Sequence, residues 1–130
     1  MELILGMGCD RGASLQTLNE AVDQALSTIE YGRDAVIGLA SIDKKFDEEG
    51  LLELAQRQRW TLTFFSADQL AKVDVPNPSE VVRKYMGTPA VSEAAAILAA
   101  ETTKEALLVE KFKYLGQDGK NATVSVVRCK

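Results

Sequence analysis

Near the start of the chain, Gly6 to Ser14 (GMGCDRGAS) brings a thiol, a guanidinium and glycines together just before a segment that opens on serine. An apolar lead-in (Leu3, Ile4, Leu5) predicts a strand running into this loop, and Ser14 predicts the cap of a following helix. Backbone N–H groups at a helix N-terminus, with Arg11 as a bidentate donor, suit an anionic ligand. Gly6, Gly8 and Gly12 lack Cβ atoms, so the chain can turn sharply and a ligand can approach the main chain. The same residues also make an ordinary strand-to-helix turn. They do not make a nucleotide loop: in a dinucleotide fingerprint the third glycine would fall at Arg11, and the Gly-Lys-Ser/Thr ending of a P-loop is missing.

A second concentration of charge, SIDKKFDEEG, follows the next apolar run. Asp47 reads as a helix N-cap, and Glu48 and Glu49 suit the positive end of that helix. Lys45 does not, because a cation there opposes the helix dipole and needs a counter-charge from a neighbouring carboxylate or a ligand. Further along, Ser92-Glu93 reads either as helix-start chemistry or as a carboxylate facing a cleft, and Glu110 and Lys111 read as strand-edge charges or as part of a site. Cys9 reads as a small turn residue rather than a nucleophile, since no base lies near it in sequence, although a helix N-terminus lowers a thiol pKa.

Composition narrows the chemistry. There is no histidine, which removes a Ser-His-Asp triad, a His general base and a His-ligated zinc site, and leaves Asp, Glu, Lys, Tyr, Cys or the substrate itself. Cys9 and Cys129 form neither a disulfide framework nor a metal motif, and both are expected to be free thiols. The formal charge of −4, with no basic run, argues against nucleic acid or an anionic membrane as the main partner. Arg11, Lys44, Lys45 and Lys111 can still form a local anion site. No apolar run is long enough to span a membrane and the N-terminus has no signal-peptide pattern, so the expected location is the cytoplasm.

These residues have to be positioned by a fold. At 130 residues, 46% apolar and 26% charged, the chain is read as one globular domain, 1–130. Leu15, Leu18, Val22, Ala25, Leu26 and Ile29 recur at helical spacing, and Gly32 is expected to end that helix. Ala35 to Ile42 is an almost unbroken apolar run, the pattern of a strand covered on both faces near the sheet centre. A helix then runs to about Arg59, and Trp60 to Ser66 is β-branched and aromatic, a third strand. Ser66 caps a short helix, ADQLAKV. Another starts at Ser79 after an extended Pro-containing linker, with Val81, Val82 and Tyr85 as its apolar side and Gly87 as its end. Pro89 fits the first turn of the alanine-rich helix that reaches Ala100. Leu107 to Tyr114 and Ala122 to Val127 form a hairpin with Asp118-Gly119 at its tip, and the alternation in EKFKY turns one side of its first strand to solvent or a site. The expected fold is a three-layer α/β/α domain with a mixed, mainly parallel sheet and a C-terminal β-hairpin. Ligands in such sheets bind outside the carboxyl ends of strands, where the Gly6 to Ser14 and Ser41 to Glu48 loops lie.

Six segments in order, covering nearly the whole chain, resemble one family. They are G-x-G-C-x-R-G-x-S (Gly6 to Ser14), A-[ST]-I-D-x-K-x-D-E-x-G-L (Ala40 to Leu51), the pair Phe64-Phe65 with Leu70, V-P-N-P-S-E-x-V (Val75 to Val82), G-T-P-x-V-x-E-A-A-A (Gly87 to Ala96) and L-L-V-E-K (Leu107 to Lys111). The sequence resembles the C-terminal domain of the cobalamin-biosynthesis protein CbiG and the related standalone protein CobE.

That resemblance implies a role in making the corrin ring. Full-length CbiG resembles a hydrolase that opens the δ-lactone of a cobalt-precorrin and releases acetaldehyde, while CobE implies a precursor-binding role. The motifs cover only the C-terminal domain of CbiG, so a separate CbiG N-terminal-like protein or other corrin-pathway enzymes are expected as partners. The expected ligand is a precorrin or cobalt-precorrin, a flat macrocycle rimmed by carboxylates, which needs cations around an apolar or glycine-lined floor. Candidate ligand-binding residues are Gly8, Cys9, Arg11, Gly12, Ser14, Lys45, Glu93 and Lys111. For lactone opening, Asp43 or Glu48 is a candidate to activate water while a lysine stabilises the oxyanion. No cofactor and no protein-bound metal are expected; any metal arrives inside the macrocycle. The competing reading is a non-catalytic α/β module for another small anion such as a nucleotide.

Overall fold

A computed structural model describes residues 1–129. The chain opens with β1 (Leu3–Cys9), α1 (Leu15–Ser27), β2 (Val36–Ile42), α2 (Glu49–Gln58) and β3 (Thr61–Phe65). Three helices follow, α3 (Ala67–Ala71), α4 (Glu80–Met86) and α5 (Ser92–Ala99), and then the hairpin strands β4 (Leu107–Leu115) and β5 (Asn121–Arg128). The sheet order is β3-β2-β1-β5-β4. Strand β1 pairs in parallel with β2, and β2 with β3, whereas β5 is antiparallel to both β1 and β4. The sheet is therefore mixed. β5 alone runs against the other strands, and β1 sits at the centre with β2 beside it.

Alternation along β1 sorts the two cores. Leu3, Leu5 and Met7 join α1, α2 and Trp60 on one face, and Ile4 joins α5, Ala40 and Ile42 on the other. Strand β2 feeds both clusters, through Leu39 and through Ala40 and Ile42. That is why it reads as a continuous apolar run instead of an alternating one. Truncating a fully buried leucine such as Leu5 or Leu39 costs about 2–5 kcal/mol.

Gly6 decides how close α5 can lie. A Cβ at that position would overlap the Ser92 carbonyl oxygen and come within 2.9 Å of the Ala96 nitrogen. With no side chain at Gly6 and only methyls at Ala94, Ala95 and Ala96, the first turn of α5 packs directly on β1. This brings Ser92 and Glu93 against the sheet beside the end of β1.

Four sequence expectations are corrected. Helix α1 ends at Ser27 with Thr28 as its C-cap, ahead of Gly32, which lies extended before a short 3-10 turn. The N-cap of α2 is Glu48, not Asp47, because Arg11 takes the Asp47 carboxylate (2.7 Å). Pro89 precedes α5 instead of entering its first turn, since α5 begins only at Ser92. Only part of the apolar side read into α4 packs on the core: Val82 lies against it with Met86, but Val81 and Tyr85 are 69% and 70% exposed, and no residue of the helix is fully buried. Helix α4 is also moored at its ends, by the Ser79 N–H donating to Pro89 O (2.9 Å) and by Lys44 Nζ donating to Met86 O (3.1 Å).

Candidate functional site

A cleft of about 670 Å³ opens beyond the carboxyl end of β1, between the loop after β1, helices α4 and α5, and the hairpin. That volume falls within the ordinary range for ligand sites, about 300–1,000 Å³. One wall is apolar, formed by Val82, Tyr85, Met86, Ala90 and Val91. Gly8 and Cys9 line the end of β1, and the charged groups are Arg11, Lys45, Lys111 and Lys113 against Asp10 and Glu93. Four basic groups facing two acidic ones make the cleft locally positive on a chain whose formal charge is −4.

The cations are not equivalent. Arg11 Nη1 lies 2.7 Å from Asp47 Oδ1 and 2.9 Å from Glu48 Oε1, and Nη2 donates to Lys44 O (2.9 Å). Its guanidinium stays charged and Asp47 is held below the usual carboxylate range, each chiefly through their shared hydrogen bond. Arg11 therefore clasps one loop to the other. Lys45 is only 9% exposed and has no ion-pair partner among the described residues. A counter-charge at this position is one a ligand can supply. Lys113, likewise outside every ion pair among the described residues, stands exposed two residues from Lys111 on the cleft side of β4. Phe112 and Tyr114 between and beyond them pack on the α1 side, as the alternation in EKFKY predicts.

Several amide donors of the glycine loop are already engaged. Gly12, at φ 81°, donates to both Glu48 oxygens (3.2 and 3.3 Å), and the Asp10 N–H donates to Asn121 O (2.9 Å). At the N-terminus of α1, Ser14 Oγ accepts from the Thr17 N–H, while Asp118 of the hairpin accepts from the Ser14 N–H (3.0 Å) and from Thr17 Oγ1 (2.8 Å). Backbone N–H donors from Ser14 and Lys120 pull the Asp118 pKa down to about 2. The amides of Gly12 and Ser14, expected to meet a ligand's carboxylate, are thus taken by the chain's own Glu48 and Asp118, and those of Asp10 and Thr17 by the Asn121 carbonyl and the Ser14 hydroxyl.

Of the residues selected from sequence, Gly8, Cys9, Arg11, Lys45, Glu93 and Lys111 come together on the cleft. Gly12, Ser14 and Glu48 lie on a smaller acidic hollow beyond Arg11, which Asp47, Glu49 and Glu53 also line. Asp43 is exposed and lines neither space. Glu48, 3% exposed, holds the Gly12 amide and Arg11. Burial raises the Cys9 pKa to about 11, outweighing the lowering influence of Lys45, so near neutral pH it is a thiol and not a thiolate. Sequence reading missed Asp10, Lys113, Asn121 and Thr123. Only Lys113 carried a local signal, its spacing from Lys111.

At the inner end of the cleft, Glu93 is 1% exposed. Its Oε1 accepts from Ser92 Oγ (3.0 Å), and Ser92 Oγ in turn lies 2.9 Å from Ser125 Oγ. Its Oε2 has no hydrogen-bond partner among the described residues, and the Lys111 ammonium stands 3.6 Å away. Among the described residues no group of three or more His, Cys, Asp or Glu side chains is arranged to hold a metal ion.

Comparison with known proteins gives a consistent result. A family model described as "Cobalamin synthesis G C-terminus" matches residues 3–127. Cobalt-precorrin-5A hydrolase of Priestia megaterium is 38% identical over 96 residues, which are 74% of this chain but only 26% of that protein. Protein CobE of a Sinorhizobium species is 31% identical over 109 residues, 82% of this chain and 70% of that one. A crystal structure of CobE, a protein from the cobalamin biosynthetic pathway, superposes with a TM-score of 0.79 at 29% identity, covering 99% of this chain and 92% of that one. The chain therefore spans about a quarter of the hydrolase it matches and most of the CobE proteins.

Proposed function

The chain belongs to the CbiG C-terminal family of cobalamin biosynthesis proteins, and from that premise we propose that its cleft binds a precorrin or cobalt-precorrin intermediate. The observation that carries this reading is Lys45, a nearly buried ammonium with no carboxylate partner among the described residues, on a cleft with an apolar wall. A tetrapyrrole acid is apolar on its ring faces and anionic at its rim. Val82, Tyr85 and Met86 suit the first property, and Lys45 and Lys113, with Arg11 at the edge, suit the second.

Binding is the function these groups support best. Assistance in lactone opening is a further step of the same reading, suggested by the likeness to a cobalt-precorrin-5A hydrolase, of which this chain matches only a part. In that step the groups at hand in the cleft are Glu93 and Lys111, since Asp43 is exposed outside it and Glu48 holds the loop. A separate protein resembling the N-terminal part of CbiG is the partner proposed for full turnover.

The test is an anaerobic absorbance titration of a cobalt-precorrin-5A fraction with the purified chain, followed by an acetaldehyde assay. Saturable spectral change that Lys45→Ala weakens supports the proposed site, and acetaldehyde would add hydrolysis to binding. A flat titration with folded protein, together with tight binding of a colourless phosphate ligand, would favour the small-anion reading.

A further inference from the structure

We infer that the inner end of the cleft is a subsite for an uncharged polar group of the ligand, such as an amide, ester or hydroxyl, and that Glu93 is the residue that makes it refuse a carboxylate. This rests on the proposed tetrapyrrole reading and assigns the two ends of that cleft different tasks. Lys111 looks like one more cation for a carboxylated ring, but its charge is already answered by Glu93 at 3.6 Å. A carboxylate placed on Lys111 would sit beside a second, almost fully buried carboxylate, where low polarisability makes like charges costly.

The hydrogen-bond inventory points the same way. Ser92 and Ser125 supply the hydroxyls of the network, and one of them reaches Glu93 Oε1. Oε2 receives no hydrogen bond, and a buried acceptor left unpaired is an uncommon and costly state. Lys111 Nζ and Glu93 Oε2 thus stand as a donor and an acceptor side by side. A group that offers a carbonyl to the first and an N–H or O–H to the second satisfies both. Lys45 and Lys113, free of internal carboxylate partners among the described residues, are left to hold the carboxylates at the mouth.

The experiment uses two porphyrin probes that share one ring: coproporphyrin, a tetracarboxylate, and the same compound with one side chain converted to the primary amide. Binding to the intact chain is followed by absorbance and tryptophan quenching. The expected result is that the wild type prefers the monoamide by about tenfold or more, the size of a like-charge penalty near a buried carboxylate. In Glu93→Gln, which keeps the side-chain shape, the ratio should fall to within about twofold because the tetracarboxylate gains. Equal affinities for the two probes in the wild type overturn the inference without involving any variant, as does an unchanged ratio in folded Glu93→Gln. If the wild type binds neither probe, the tetrapyrrole reading itself fails and this subsite falls with it.

Discussion

The N-termini of α1 and α5 both lie near the carboxyl end of β1, yet they are finished in different ways. At α1, Ser14 caps the helix, Asp118 reaches across from the hairpin to the Ser14 amide and the Thr17 hydroxyl, and Glu48 takes the Gly12 amide. At α5, Val91 provides no side-chain cap, and the nearby buried carboxylate of Glu93 keeps one oxygen without a hydrogen bond. The first end carries the glycines and the arginine that draw attention in a sequence. The second carries the unfilled valence, and it faces the cleft. Donors that make a helix terminus attractive to anions are no guide to a site when the chain supplies anions of its own.

The largest expected effect comes from removing the glycine that seats α5. Gly6→Ala puts a methyl into the Ser92 carbonyl and should destabilise the fold by about 3 kcal/mol or more in urea unfolding, with loss of ligand binding. A change under about 1 kcal/mol would mean that α5 can shift without harm, and the distinction between the two helix ends would lose its structural basis. Next in size is the contrast between Lys45 and Arg11. Lys45→Ala should weaken binding of a carboxylated tetrapyrrole by about tenfold or more, and Arg11→Ala by less than about threefold, because Arg11 is already held by Asp47 and Glu48. The reverse order in a titration would return the site to the glycine loop.

A smaller effect sharpens the account of α1. The Asp118 pKa is lowered from 3.8 to about 2 in the folded chain, so its contribution to stability is complete above the unfolded value and lost as the pH falls from about 4 towards 2. In thermal melts across that window, Asp118→Asn should lose less stability on acidification than the wild type, having already given up this contribution at neutral pH. Parallel acid profiles would show that Asp118 does not serve as the anion at the end of α1. The smallest effect belongs to Cys9. With its pKa near 11 instead of 9.0, alkylation by iodoacetamide near neutral pH should be slower than for an open cysteine by a factor on the order of 100, and Cys9→Ser should bind ligand like the wild type. Rapid labelling would indicate that this part of the cleft opens more than its packing suggests.

Much of the fold was legible because local chemistry sets it. Helical spacing gave α1, the apolar run gave β2, and Ser66, Ser79 and Gly87 marked helix ends where their side chains or a φ of 78° do the capping. The alternation in EKFKY gave the orientation of β4. What sequence could not give were pairings between distant parts of the chain. Asp118 read as the tip of a hairpin because nothing near it shows that its carboxylate reaches Ser14, and Arg11 read as a ligand anchor because Asp47 and Glu48 are remote in sequence. The mixed fate of the apolar side of α4 had a similar cause: Val81, Val82 and Tyr85 read alike, but spacing does not distinguish exposed Val81 from Val82 on the core or Tyr85 on the wall of a cleft.

The position of β5 bears on when the protein can become competent. Strand β1 precedes the other strands in the chain, but one of its two neighbours is β5, with Leu3 opposite Arg128, and β4 joins the sheet only through β5. Lys111 and Lys113 on β4 therefore cannot take their places opposite Glu93 until the hairpin has turned and β5 has inserted between two strands. Pairing so distant in sequence makes closure of the sheet slow relative to helix formation. The cleft therefore waits on the hairpin, and a chain halted before Asn121 would carry a parallel β1-β2-β3 unit with the β5 side of β1 open to other chains.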